Sequence, residues 1–276
     1  MEFFKKNNKN DILIFILDVF KETNKNIILP YFKNLKKTEI DNKLDENDFV
    51  TLADKKAEEE ISNRLIRSFP DIKIIGEESF FLNKSNPVKY NEKFYWTVDP
   101  IDGTKNYIKG DQNFCSMISL IENKKTIAAF IFDPLKNILF YSFLSSGCYT
   151  FNLVTQKTKK IKIKNSSDFI GTGTSKGFNE QIRQKIIDNF NTKTKRIFIG
   201  SAGIEATKLI SNEVNFFLHG RVTPWDHSPV DLIVREAGGV AFMLNDKNVF
   251  DIDIKGSYLA SNNIELWHKL KKIFFK

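Results

Sequence analysis

Trp96-Thr97-Val98-Asp99-Pro100-Ile101-Asp102-Gly103-Thr104 decides how the rest of the chain is read. The segment opens as a buried strand, because Phe94, Tyr95, Trp96 and Val98 are aromatic or β-branched and closely spaced. Its character then changes within one residue. Asp99 ends the apolar run, Pro100 fixes φ and removes a backbone donor, and Asp102-Gly103 is a turn pair. Thr104 begins a polar segment, Lys105-Asn106-Tyr107, that reads as a short helix. A strand thus delivers two carboxylates, three residues apart, to its C-terminal tip. In layered α/β architectures that edge is where ligands bind.

Two carboxylates held this close repel unless a proton or a cation sits between them. A hard dication such as Mg²⁺ takes oxygen ligands, which Asp side chains and a free backbone carbonyl supply. The Gly103 and Thr104 amides, at the start of the short helix, are placed to hold a phosphate oxygen. A solvated turn with Asp102 as a helix N-cap fits the same residues, and spacing alone leaves both readings open.

Upstream, residues 12–34 read as a long amphipathic helix interrupted near Pro30, and residues 38–48 as a polar loop containing Lys43. The apolar part of that first helix, residues 12–20, carries Asp18 and is too short to span a membrane, so a cytoplasmic protein is expected. Residues 51–69 form a second helix, with Ala53, Ala57, Ile61, Leu65 and Phe69 recurring every four residues. Thr51 and Asp54 have capping-box-like spacing, which gives Asp54 a structural role at the helix N-terminus. Ile72, Ile74 and Ile75 form a strand stopped by the loop Gly76-Glu77-Glu78-Ser79.

Downstream, residues 114–121, 126–132, 138–143 and 148–151 read as successive strands with short turns, an antiparallel meander. Strands then alternate with helices: strands at 160–163, 169–174, 196–199, 214–218, 240–244 and 258–260, helices at 180–190, 204–210, 228–237 and 264–274. This alternation argues an α/β layer. Gly200-Ser201-Ala202-Gly203, before a helix, reads either as a plain turn or as backbone amides offered to an anion or a sugar hydroxyl. Pro224-Trp225-Asp226-His227 precedes the helix that stops at Gly238-Gly239, and Asp226 is placed as its N-cap. His227 reads as a packing or supporting residue, since no histidine pair has metal spacing.

The 276 residues permit one large domain or two smaller ones, and their 41% hydrophobic and 28% charged content is that of a soluble globular protein. The net charge of +8 favours anionic ligands. The densest basic cluster, Lys157, Lys159, Lys160, Lys162 and Lys164, alternates in part with Ile161 and Ile163 and lacks interleaved aromatics. It reads as a solvated strand face, and nucleic acid is not the expected partner. Cys115 and Cys148 form no CxxC or Cys/His cluster, and reduced thiols are the simpler expectation.

Asp99-Pro100-Ile101-Asp102-Gly103-Thr104 resembles the signature of the inositol monophosphatase-like, lithium-sensitive metal-dependent phosphatases. Two further segments lie around it in the family's order. Gly76-Glu77-Glu78-Ser79 is similar to the loop whose first Glu binds metal. Trp225-Asp226, with the helix ending Glu236-Ala237-Gly238-Gly239, is similar to the C-terminal signature. The resemblance implies a layered αβαβα sandwich, α+β in residues 1–152 with metal-binding motifs and α/β in residues 153–276, which complete the metal and substrate site. It implies a Mg²⁺-dependent phosphomonoesterase, a homodimer, with two or more ions. Glu77, Asp99 and the Ile101 carbonyl would hold one ion; Asp99, Asp102 and Asp226 would hold another. Val50-Thr51-Leu52-Ala53-Asp54 resembles the segment whose Asp orients, with a Thr, the attacking water, here Asp54 with Thr104. Lys43 lies near the place where the family often has a lysine.

Gly200, Ser201 and Ala202 match the family's substrate loop, but the chain departs from the inositol phosphatases seven residues before Asp226. There they carry a Glu that contacts inositol hydroxyls, whereas this chain has His219, followed by Gly220 and Arg221. The expected substrate-facing set is therefore Gly103, Thr104, Gly200, Ser201, Ala202, His219 and Arg221, with Arg221 placed for a second anionic group. A sugar or inositol phosphate, histidinol phosphate and a 3′-phosphorylated adenosine nucleotide remain open as substrates. A nucleic-acid-associated regulatory protein is the reading from another class.

Overall fold

The structure, a computed structural model, describes residues 1–43, 48–82, 90–244 and 249–275. The chain begins with α1 (Phe3–Lys6) and α2 (Lys9–Thr23), which runs through a π-helical turn at Asn24–Ile28 into α3 (Leu29–Tyr31). A 3-10 turn (Lys37–Glu39) and the short pair β1 (Ile40–Asn42) and β2 (Phe49–Thr51) lead into α4 (Leu52–Ser68). Then come β3 (Lys73–Gly76), α5 (Glu77–Leu82), β4 (Phe94–Asp102), α6 (Thr104–Lys109) and β5 (Cys115–Glu122). Four strands follow: β6 (Lys125–Asp133), β7 (Ile138–Phe143), β8 (Cys148–Asn152) and β9 (Lys157–Ile161). The second half holds β10 (Ile170–Thr174), α7 (Glu180–Lys193), β11 (Lys195–Arg196), α8 (Ala202–Ile210) and β12 (Phe216–His219). It ends with α9 (Pro224–Glu236), β13 (Val240–Met243), β14 (Tyr258–Ser261) and α10 (Ile264–Phe275).

Strands β3 to β9 make one seven-stranded sheet in sequence order, with β3 parallel to β4 and every later pair antiparallel. The second sheet is mixed and five-stranded, in the order β11-β10-β12-β14-β13. Side-chain alternation assigns each face. Trp96, Val98, Ile118, Leu120 and Phe130 meet Ile16, Val19 and Phe20 of α2 and Ile61 and Leu65 of α4. Tyr95, Met117, Ile121 and Ile131 face the other way, toward α8, α9 and the inner face of the second sheet, where Phe217 and Ala260 lie. Phe216, Leu218 and Leu259 turn outward onto Ile186 and Phe190 of α7 and Trp267 and Leu270 of α10. The order of layers is α2/α4, seven-stranded sheet, α8/α9, five-stranded sheet, α7/α10, which is the αβαβα sandwich expected.

Among the local boundaries that differ from the sequence reading, four bear on the sheet edge or the site. The strand expected at residues 160–163 is β9, and it pairs with β8 at the edge of the first sheet. Its exposed lysines blunt that edge. The expected loop at residues 38–48 contains β1, with residues 44–47 outside the described part. Glu77 opens a helix instead of sitting in a loop. Helix α9 starts at Pro224, because proline suits the first helical position, and Thr223 is its N-cap. Asp226 is therefore the third helical residue and not the cap.

Candidate active site

The pairing of β4 with β5 explains why two aspartates three residues apart can meet. The register is regular to Asp99 opposite Met117 and resumes at Asp102 opposite Cys115. Three steps on β4 thus match two on β5, a one-residue bulge. Without it, alternation would send Asp99 and Asp102 to opposite faces. Pro100 has no N–H to lose from the ladder, and its carbonyl accepts the Ser116 hydroxyl at 2.7 Å. Gly103 then turns the chain into α6 at φ +93°, where a Cβ would come within 2.8 Å of the Asn113 carbonyl.

Among the described residues, Asp99, Asp102 and Asp226 form a group whose ligand oxygens all lie within 4.8 Å of one another. Among the described residues, the buried Asp99 Oδ1 has no hydrogen-bond partner. Burial, then the charges of Glu77, Asp102 and Asp226, push Asp99 well above the usual carboxylate range. Asp102 is pushed up to about 7 by burial and by Asp226, although Ser201 and Gly203 oppose the shift. Those opposing bonds come from the start of α8: Ser201 Oγ and the Gly203 amide both donate to Asp102 Oδ2 at 2.6 Å. An orphaned carboxylate oxygen among mutually repelling acids, all hard oxygen donors, fits a Mg²⁺-type ion.

Glu77 stands beside this group with a different partner. Lys43 Nζ, on a side chain only 2% exposed, donates to Glu77 Oε1 at 2.6 Å and to Glu78 Oε1 at 2.7 Å. One ammonium faces two carboxylates there, so burial still pushes Glu78 up to about 7 against the pull of Lys43. The segment is anchored from below by Glu58, whose carboxylate accepts the Glu78 and Ser79 amides at 2.7 and 2.8 Å. These amides open α5, and a Cβ on Gly76 would come within 2.4 Å of the Glu58 carboxylate. Sequence reasoning missed Glu58, since a Glu58-Glu59-Glu60 run on a helix reads as a solvated face. The available signal was its place four residues after Asp54, on the buried stripe of α4.

Asp54 does have the expected capping-box geometry: its Oδ2 accepts the Thr51 amide and hydroxyl. Its other oxygen, Oδ1, lies 3.2 Å from Thr104 Oγ1, which is also 3.1 Å from the Ile101 carbonyl. The hydroxyl has one proton to give and two lone pairs with which to accept.

A cleft of about 370 Å³ collects these groups. Every expected site residue lines it except Asp54, which reaches it through Thr104. Lys105, Lys176 and Arg221 also line the cleft, with the Arg221 and Lys176 side chains half-exposed and 4.0 and 3.7 Å from Asp48. His219 is on the wall, but both its ring nitrogens are engaged, by Glu205 at 2.6 Å and His227 at 2.9 Å. A slightly larger cleft, about 400 Å³, opens between residues 165–167 and the start of α10. It carries Glu265 and Lys269 without converging carboxylates, so the chemistry points to the smaller one. Both cysteines are buried and unbridged. None of the described helices is long and apolar enough to cross a membrane.

The inositol monophosphatase family model matches residues 11–273. A Nus factor SuhB from Xylella fastidiosa is 30% identical over 236 residues, covering 82% of this chain and 81% of that protein. A fructose-1,6-bisphosphatase/inositol-1-monophosphatase from Thermotoga maritima is 29% identical over 214 residues, covering 76% and 78%. Among solved structures, an IMPase/NADP phosphatase complexed with Mg²⁺ and phosphate shares the fold at a TM-score of 0.77. It is 19% identical, with 96% of this chain and 95% of that one covered. Matched over nearly its whole length, the chain belongs to the inositol monophosphatase family.

Proposed function

We propose that this protein is a Mg²⁺-dependent phosphomonoesterase acting on a small phosphorylated metabolite. The observation that carries the reading is the convergence of Asp99, Asp102 and Asp226 next to the Thr104–Asp54 pair. The names of the Thermotoga relative and of the Mg²⁺- and phosphate-bound fold neighbour support it. Asp99, Asp102 and Asp226, joined by Glu77 and the Ile101 carbonyl, would hold two or more ions. Bound Mg²⁺ supplies charge neutralisation at the phosphate and lowers the pKa of water. Thr104 Oγ1 accepts a hydrogen bond from the attacking water while donating to Asp54 Oδ1, and Thr51 keeps Asp54 fixed. Gly103, Gly200, Ser201 and Ala202 border the phosphate position, and Lys105, Lys176 and Arg221 face the leaving group.

That cationic rim, with His219 in place of a polyol-binding Glu, favours a leaving group carrying a second anion over inositol 1-phosphate. Without that Glu a polyol hydroxyl loses its acceptor, and an unmatched polar contact of this kind costs much of kcat/KM. Phosphate release from a panel of phosphomonoesters, with and without chelator, tests the reading. Full activity after exhaustive chelation ends it, and a tenfold or larger preference for inositol 1-phosphate ends the substrate argument. The same reading carries a homodimer in the cytoplasm, open to sedimentation and cell fractionation.

The Nus factor name of the Xylella relative supports a second reading, a nucleic-acid-associated regulator using the +8 surface. A salt-dependent RNA shift without phosphate release would favour it.

A further inference from the structure

Two imidazoles and a carboxylate are buried in the wall of the cleft, and their hydrogen bonds run in one direction. The Thr223 amide, a donor that cannot reverse, points at His227 Nδ1 at 3.2 Å. His227 Nδ1 is therefore the unprotonated nitrogen, and Nε2 carries the proton. That proton is given to His219 Nδ1, 2.9 Å away. His219 in turn carries its proton on Nε2 and donates to Glu205 Oε2 at 2.6 Å. Thr172 Oγ1 donates to the remaining Glu205 oxygen at 2.9 Å. Each ring nitrogen and each carboxylate oxygen has one partner, and all four side chains from Thr172 to His227 are at least nine-tenths buried.

Burial lowers His219, but Glu205 outweighs it and raises that ring. A second proton on His219 Nδ1 would nonetheless meet the His227 Nε2–H, or force His227 to turn an N–H onto the Thr223 amide. The chain of bonds closes only with both rings neutral.

The two ends of this chain sit at two helix starts. Glu205 lies in the first turn of α8, whose Ser201 hydroxyl and Gly203 amide hold Asp102. Thr223 caps α9, where its own side chain makes no capping bond, and Asp226 is the third residue of that helix. We propose that Glu205, His219 and His227 are a positioning relay that fixes Asp226 relative to Asp102, and that His219, with both nitrogens committed, does not bind the leaving group. The relay's catalytic consequence rests on the phosphatase reading, whereas its geometry does not.

The 276-residue chain has three histidines, so long-range ¹H–¹⁵N spectra of the imidazoles can resolve each ring. Neutral rings protonated on Nε2 are expected for both His219 and His227. Titration with Mn²⁺ alone is the second measurement. His227→Phe and Glu205→Leu should weaken Mn²⁺ binding by roughly 10–100-fold, the range for partners that orient a metal's ligands. Glu205→Gln should recover most of the loss, because its amide oxygen still accepts from His219 Nε2–H. An Nδ1–H or doubly protonated His219 in the wild type overturns the relay, whether or not the variants fold. Wild-type Mn²⁺ affinity in folded His227→Phe overturns it as well. Should these results hold while no phosphomonoester is hydrolysed, the phosphatase reading fails and the relay stands.

Discussion

Asp99 and Thr104 lie five positions apart but carry different physical tasks. Asp99 is a buried acid with an orphaned oxygen, so its loss should act on metal affinity first. Thr104 offers one hydroxyl between Asp54 and the cleft, so its loss should act on water orientation. Thr104→Ala is expected to lower kcat by roughly two to four powers of ten, as for a lost proton-transfer partner. Its metal affinity should change far less than in Asp99→Asn; equal losses in both variants would contradict the division. His219 gives a second residue-scale test. Restoring the family's carboxylate with His219→Glu sets a second buried acid against Glu205. A destabilisation of about 3–5 kcal/mol in urea unfolding is expected, the cost of an uncompensated buried charge. A stable variant that gains inositol 1-phosphate hydrolysis would show that His219 does face substrate. Asp99, Asp102 and Thr104 were legible in the sequence because an apolar strand breaks at once into Asp99-Pro100-Ile101-Asp102-Gly103-Thr104, a segment that resembles a family signature. The commitments of His219 were not, because Glu205, His219 and His227 come from three elements and meet only after the sheet and helices pack.

At the scale of elements, the bulge in β4 and the anchor under α5 do what residue types alone do not reveal. A bulge is an offset against a partner strand, so Asp99 and Asp102 look like residues of opposite faces until β5 is placed. Helix α5 is equally invisible as an element: six residues cannot sustain a helix by propensity, and Glu58 supplies the acceptors its first amides lack. Glu58→Ala leaves both amides without that acceptor and should cost roughly 1–3 kcal/mol. It should also loosen Glu77, so Mg²⁺ binding weakens while the packing of α2 and α4 is retained. Glu58→Gln, which offers one acceptor oxygen for two amides, should fall between the two. Calorimetric Mg²⁺ titration of the three proteins checks this, and unchanged affinity in Glu58→Ala would remove Glu58 from the site. Long amphipathic elements such as α2, α4 and α10 were legible, by contrast, because each buries a stripe set by sequence period alone.

Across the whole molecule the site is a store of unfavourable charge that metal binding relieves. Asp102 and Glu78 are pushed up to about 7, burial being the largest cause for each, and Asp99 and Glu77 are raised well above the carboxylate range. The unfolded chain has none of this burial, and its carboxyls ionise near their ordinary value of about 4. Between about pH 4 and pH 7 the metal-free fold therefore binds more protons than the unfolded chain. Stability then falls with rising pH. The contribution of these groups is fully present below about pH 4 and is lost as pH climbs through about 7. Mg²⁺ reverses the sign of the problem, since it binds the ionised carboxylates and competes with their protons. Its stabilisation should grow through the same window, reaching about 2.7 kcal/mol where the free ion stands at a hundred times its Kd. Thermal unfolding from pH 5 to pH 8, in chelator and in excess Mg²⁺, should give two curves that diverge as pH rises. A chelated protein whose Tm is flat or climbing over that range, with no Mg²⁺ shift at pH 8, would mean that these carboxylates are neither strained nor metal-binding.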